Sequence, residues 1–256
     1  ITMLNFKTAS ILFLVACGGI ILLHYTANAS WWWLLPVILI YKIFIITGSA
    51  NINSNFYAPV YCKGTTSEKE IVLTFDDGPT LFTKDILHSL SLYQVPATFF
   101  LIGKNIQGNE SLVKQIISEG HHIGNHTFSH SFFIDFKNVK GFKQELIQTD
   151  EAVTKITGKR LKLFRPPYGV TTPHLVRAAR ELGYILIGWN VRSMDTTNDS
   201  EDVIVKRVTE QIKPGAIVLL HDTSDKTNAV LKRVLAFVKE NNYKIVSLEK
   251  MLDIVK

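Results

Sequence analysis

The chain has 256 residues, 28 basic and 22 acidic side chains, 46% apolar residues and a mean hydropathy of +0.15; intrinsic disorder, a collagen-like repeat and a disulfide scaffold are excluded. The charges are unevenly placed. Residues 1–61 hold only Lys7 and Lys42, so 26 basic and 22 acidic side chains fall in the other 195 residues, enough chain for one core and too small an excess to imply a nucleic-acid partner.

From Thr8 to Tyr41 there is no Asp, Glu, Lys or Arg. A continuous helix over that stretch would be about 51 Å long, against about 30 Å of bilayer hydrocarbon. The polar interruption His24 to Ser30 divides it into Thr8–Leu23 and Trp31–Ile46, which predicts a transmembrane hairpin and makes the lipid bilayer a partner. Trp31, Trp32 and Trp33 suit the headgroup level, and Lys42 is expected to snorkel from the last turn of the second segment. Residues 1–61 are thus expected to be anchor and linker, and 62–256 the soluble domain. Two processing signals compete with the hairpin. Lys7 and the apolar run, with Ala27-Asn28-Ala29, resemble a signal peptide and its cleavage site, and Leu14-Val15-Ala16-Cys17 resembles a lipoprotein box, although the residues after Cys17 are apolar. Lys7, Lys42, Lys63 and Lys69 all flank one side of the hairpin, which by the positive-inside rule favours a cytoplasmic domain.

The soluble part alternates β-rich and amphipathic segments. Predicted strands are 71–76, 97–102, 122–125, 162–165, 185–191, 216–220 and 244–247; predicted helices are 82–93, 110–119, 142–156, 173–182, 202–212, 228–240 and 248–255. Apolar strands alternating with helices imply about seven parallel strands in an α/β barrel or doubly wound sheet, with chemistry at the carboxyl ends of the strands.

The residues after each strand fit that rule. Asp76-Asp77-Gly78-Pro79 follows the first, His126-Thr127-Phe128-Ser129-His130 the third, Arg165-Pro166-Pro167-Tyr168 the fourth, Asp195 the fifth and His221-Asp222 the sixth. Adjacent carboxylates repel unless a cation or proton lies between them, so Asp76-Asp77 suggests one metal ligand beside one proton acceptor; a solvated Asp-Asp-Gly-Pro turn fits the same residues. His126 and His130, four apart, would share a face of one helical turn and with Asp77 make an open hydrolytic metal site. His121 and His122 are expected to pack at the helix exit, and His88 and His174 to be ordinary surface residues.

In this order, Thr74-Phe75-Asp76-Asp77-Gly78-Pro79, His126-Thr127-Phe128-Ser129-His130, Arg165-Pro166-Pro167-Tyr168 and Leu219-Leu220-His221-Asp222 resemble the motifs of the polysaccharide deacetylase family, carbohydrate esterase family 4, with its NodB-like homology domain. The resemblance covers about residues 71–252. It implies a distorted, incomplete (β/α) barrel and metal-dependent removal of acetyl groups from N-acetylated or O-acetylated sugars, here expected to be an acetylated amino-sugar polymer or oligomer. It makes Asp77, His126 and His130 ligands of one divalent metal, Zn²⁺ first and Co²⁺, Ni²⁺ or Mn²⁺ after it. It makes Asp76 the base, Arg165 its holder, the Tyr168 N–H an oxyanion donor, and His221, charged by Asp195, the acid. Pro167, Tyr168, Trp189 and Leu219 are the implied substrate-binding residues. The chain departs from the family at its fourth motif, usually Asp-x-x-Asp-Trp, where Arg192 replaces the first acid and Thr196 the tryptophan. An O-acetyl esterase on xylan, an amidase or imidase on a small cytoplasmic metabolite and a non-catalytic carbohydrate-binding domain are the alternatives. A polymer substrate implies an extracytoplasmic domain, against the lysine count.

Overall fold

The computed structural model describes residues 5–253. Two apolar helices come first, α1 (Phe6–Ala27) and α2 (Leu34–Ala50), the latter entered through a 3-10 turn at Trp31–Trp33. Each is long and apolar enough to cross a membrane, with only 6% of either stretch buried against protein. They pack side by side, with Ser10 Oγ 2.9 Å from the Tyr41 hydroxyl and Phe13 stacked on Tyr41.

Both helices outrun the expected segments. The interruption narrows to Asn28-Ala29-Ser30, because Thr26 returns its hydroxyl to the Leu22 carbonyl and Asn28 closes α1 in the left-handed region, while the His24 ring packs on Trp31. Thr47 bonds back to Ile43 in the same way and carries α2 to Ala50, so Lys42 lies two turns inside the helix and not in its last turn. Cys17 and Cys62 are both free; Cys62 is buried and its thiol is pushed up to about 11 by burial.

The rest is one parallel sheet wrapped into an incomplete barrel. Its strands are β1 (Glu70–Asp76), β2 (Thr98–Leu101), β3 (His122–Asn125), β4 (Leu163–Phe164), β5 (Ile185–Leu186), β6 (Val191–Arg192), β7 (Ala216–His221) and β8 (Lys244–Ile245), ordered β5-β4-β3-β2-β1-β7-β6 with β8 on β1. Helices α3 (Thr83–Tyr93), α4 (Glu110–Ser118), α5 (Val139–Thr157), α6 (Pro173–Glu181), α7 (Glu201–Gln211), α8 (Asp225–Glu240) and α9 (Leu248–Leu252) make the connections. The last predicted helix runs to 255, and its final residues lie outside the described ones. α5 begins three residues earlier than predicted, because Asn138 caps it by accepting from the Gly141 N–H.

The predicted strand 185–191 is two strands. Its first half pairs with β4 and its second with β7, at opposite edges of the sheet, so the chain crosses the barrel's open side between them. At the crossing the Gly188 N–H donates to Tyr61 O and the Asn190 side chain accepts from the Ile217 N–H. A continuous apolar run hides such a break, since both halves are buried. The register of β1 with β7 sets Asp76 beside His221, and that of β3 with β4 sets Asn125 beside Phe164; four motif-bearing loops therefore open on one rim.

Candidate metal centre and its acid and base

Asp76 ends β1, buried among the strands, and the next residue leaves the ladder with φ 77°. Both neighbouring carboxylates nevertheless reach the same His126 nitrogen. Asp76 Oδ1 accepts from Arg165 Nη1 at 2.7 Å, while Oδ2 lies 3.8 Å from His126 Nε2. Asp77 Oδ1 lies 3.5 Å from both His126 Nε2 and His130 Nε2. It is buried and has no hydrogen-bond partner. One ligand atom from each of Asp77, His126 and His130 falls within 4.8 Å of the others. Two imidazoles and a carboxylate converging on an orphaned oxygen suit a borderline divalent ion such as Zn²⁺ with positions left open. The remaining nitrogen of His126 is engaged as well, Nδ1 lying 2.7 Å from the Arg165 carbonyl, which orients the ring. Burial holds the His126 pKa down at about 3, so its imidazole is neutral, as a ligand must be.

The histidines do not share a helical turn. The segment after β3 is irregular, with Thr127 at φ 66° and His130 at φ 45°, and two left-handed residues rather than a 3.6-residue period bring the rings to 4.8 Å. Sequence reasoning missed what holds this loop. Asn125 accepts from the Thr127 N–H, and Glu145 on α5 accepts from the N–H groups of Phe128 and Ser129 and from the Ser129 hydroxyl, with Lys137 Nζ 3.0 Å away. Burial works against the Glu145 charge, but the Ser129 and Lys137 donors outweigh it and its carboxyl titrates lower than usual. A signal existed, since Glu145 interrupts the buried face of Phe142, Leu146, Thr149 and Val153.

Arg165 is completely buried. Besides Asp76 it donates to Thr74 Oγ1 and the Gly188 carbonyl, each at 2.8 Å, and its guanidinium lies 4.1 Å from the Phe100 ring centre. Burial pushes the Asp76 carboxyl above its ordinary pKa, against the pull of Arg165, His221 and His130. On the other flank His221 Nδ1 is 2.8 Å from Asp195 Oδ1, and the His221 N–H donates to Oδ2. Ser193 and Thr227 hydroxyls also donate to Asp195, leaving that buried carboxylate fully partnered. Burial disfavours a charged His221, but Asp195, with Asp76 and Asp77 behind it, raises its pKa above the usual value.

Tyr168, at φ 57°, is half exposed; its ring lies 4.7 Å from that of His130. Pro167, Leu219 and Trp189 are buried, with the indole under Gly169, and Tyr168 is the one of the four that reaches solvent. Arg192 is exposed at the rim with its guanidinium 5.7 Å from the Trp189 ring centre, and Thr196 is exposed. Asp222, given no role above, is buried under Gly78, where a Cβ would meet its Oδ1 at 2.7 Å, and its pKa is pushed up to about 7 by burial. His121 accepts from the Ala97 N–H and His122 pairs with Glu249, while His88 and His174 are exposed away from the site.

The family model described as polysaccharide deacetylase matches residues 63–187. A peptidoglycan-N-acetylglucosamine deacetylase of Bacillus cereus is 34% identical over 199 residues, covering 76% of this chain and 72% of that protein. The crystal structure of a peptidoglycan N-acetylglucosamine deacetylase superposes with a TM-score of 0.73 at 32% identity, over 77% of this chain and 94% of that one. A CE4 family pseudoenzyme from Bacillus anthracis superposes with a TM-score of 0.71 at 28% identity, over 78% and 71% of the two chains. A shared fold therefore does not carry the activity, and the side chains must be read for it.

Proposed function

The chain belongs to the polysaccharide deacetylase family, and from that premise we propose that it is a membrane-anchored, metal-dependent hydrolase that removes acetyl groups from N-acetylated amino sugars outside the cytoplasm. The observation that carries the reading is the buried, unpartnered Asp77 Oδ1 facing two imidazoles, with the Asp76 carboxylate on one side and a histidine held by Asp195 on the other. Asp77, His126 and His130 would hold the ion. When bound, a Zn²⁺-class ion lowers the pKa of a water towards about 7 and polarises an acetyl carbonyl.

The chain's own groups do the rest. Asp76 takes the proton of the attacking water through Oδ2, since Oδ1 is committed to Arg165. The water oxygen bonds to the acetyl carbon, and the Tyr168 N–H donates to the oxygen that gains charge. His221, protonated because Asp195 stabilises its cation, gives its proton to the departing nitrogen; the C–N bond breaks to leave acetate and a free amine.

The test is acetate release by the full chain in detergent micelles from peptidoglycan, chitooligosaccharide and acetylxylan. Release from the first two and not from acetylxylan is expected. Release from acetylxylan alone would turn the reading to an O-acetyl esterase, and release from none to a binding domain.

A further inference from the structure

The rim of the site carries several exposed apolar side chains. Among the described residues outside the hairpin, the exposed large apolar side chains are Tyr61, Leu81, Leu92, Phe132, Phe133, Phe136, Ile147, Tyr168 and Val203. Five of the nine, Leu81, Phe132, Phe133, Phe136 and Tyr168, sit in the loops that carry the ligands and the Arg-Pro-Pro-Tyr turn. Phe132, Phe133 and Phe136 are 78%, 68% and 86% exposed, and the Phe132 ring is 6.4 Å from that of Tyr168. The acid between them, Asp135, is turned partly inward with Oδ1 buried.

The apolar hairpin is fastened to this same rim. The Thr171 N–H, three residues past Tyr168, donates to the Ser49 carbonyl in the last turn of α2 at 3.0 Å. Three residues span at most about 11 Å. Ile52, just past α2, packs so closely on Gly188 that a Cβ there would lie 3.2 Å from it, and the Gly188 carbonyl is the one that Arg165 holds. The start of α1 is tied to the same place, the Phe6 N–H donating to the Phe56 carbonyl.

From this continuity we infer that the mouth of the site faces the bilayer surface, with Phe132, Phe133 and Phe136 seated at the headgroup boundary, and that the substrate is an acetylated amino sugar carried on a membrane lipid through phosphate. The substrate part rests on the deacetylase reading above. Phenylalanine offers no donor to a sugar hydroxyl, and the rings are not coplanar, Phe132 to Phe133 standing at 86° and Phe132 to Tyr168 at 68°, so they make an apolar knob and not a flat stacking platform. Apolar side chains at that depth gain free energy from lipid contact. Arg192 adds an exposed cation without an acidic partner among the described residues, beside the Trp189 wall, suited to the phosphate that joins sugar to lipid.

The test uses the full chain with Cys17→Ser and Phe133→Cys, spin-labelled and reconstituted in vesicles of phosphatidylethanolamine and phosphatidylglycerol; Leu92→Cys is the control. Relaxation by oxygen dominating over relaxation by an aqueous nickel chelate at position 133, with the reverse at 92, is expected. A label at 133 as aqueous as that at 92 overturns the inference. In the same vesicles, acetate release from polyisoprenyl-phosphate-linked N-acetylglucosamine should be at least tenfold faster than from N-acetylglucosamine 1-phosphate or soluble chitooligosaccharide. The Phe132→Ser, Phe133→Ser, Phe136→Ser variant should lose that preference. Equal rates, or faster release from the chitooligosaccharide, overturn the lipid-linked substrate. Release from none, with the label in lipid, overturns the deacetylase reading and the substrate with it, while the bilayer contact stands on the label.

Discussion

Arg165 shows how one buried side chain ties the fold to the chemistry. Its charge is compensated by Asp76 and shared with Thr74 and Gly188, all within 2.8 Å. Arg165→Met leaves Asp76 an uncompensated buried acid, and the expected cost is about 3–5 kcal/mol of unfolding free energy, measured by denaturant in micelles; a loss within 0.5 kcal/mol, roughly that of a surface substitution, would contradict the geometry. In the proposed reaction Asp195 acts through His221, the acid. Its charge raises the pKa of the acid, so His221 stays protonated to higher pH than an ordinary imidazole, and Asp195→Asn should make the alkaline fall of kcat begin at lower pH. The groups facing His221 are Asp195, Asp76 and Asp77, so an unchanged alkaline limb would remove Asp195 from this role. These residues were legible because each sits at, or within a few residues of, the carboxyl end of a strand. Glu145 was not, because its partners are backbone N–H groups whose direction depends on the left-handed turns at Thr127 and His130.

At the level of elements, the loop after β3, which carries two of the proposed ligands, is held by bonds from neighbouring elements. Three of these come from one side chain of α5, Glu145. Glu145→Ala should therefore weaken zinc binding about 10–100-fold, as loss of an outer support does, read by competition with a chromophoric chelator. Metal affinity equal to the wild type would show that the loop is rigid without it. The strands and helices were read closely from the alternation of β-rich and amphipathic runs. The division of 185–191 was not legible, because burial on both sides of the sheet erases the alternation that would reveal a change of partner.

Over the whole molecule, the charge-poor first 61 residues and the charge-balanced remainder form two materials joined at one rim. The hairpin reading predicts that the α1–α2 connection and the barrel lie on opposite sides of the membrane. With Cys17→Ser as background, Ser30→Cys should react with an impermeant thiol reagent only after the cells are opened, and Leu92→Cys in intact cells. Reaction of both from outside, or of neither, would contradict a hairpin, and reaction of Ser30→Cys alone would mean a cytoplasmic barrel. Which lipid-facing length each helix has was not legible, because the polar residues that seemed to end the segments bond back into their own helices. The central claim is that one ion held by Asp77, His126 and His130 drives acetamide hydrolysis. It is tested most directly by acetate release from chelator-stripped full chain, in micelles with chitooligosaccharide, as Zn²⁺ is added back. No release is expected before addition, full rate at one equivalent, and none at any equivalent in the Asp77→Ala protein; full release from the stripped chain, or from Asp77→Ala, would mean that this ion is not needed.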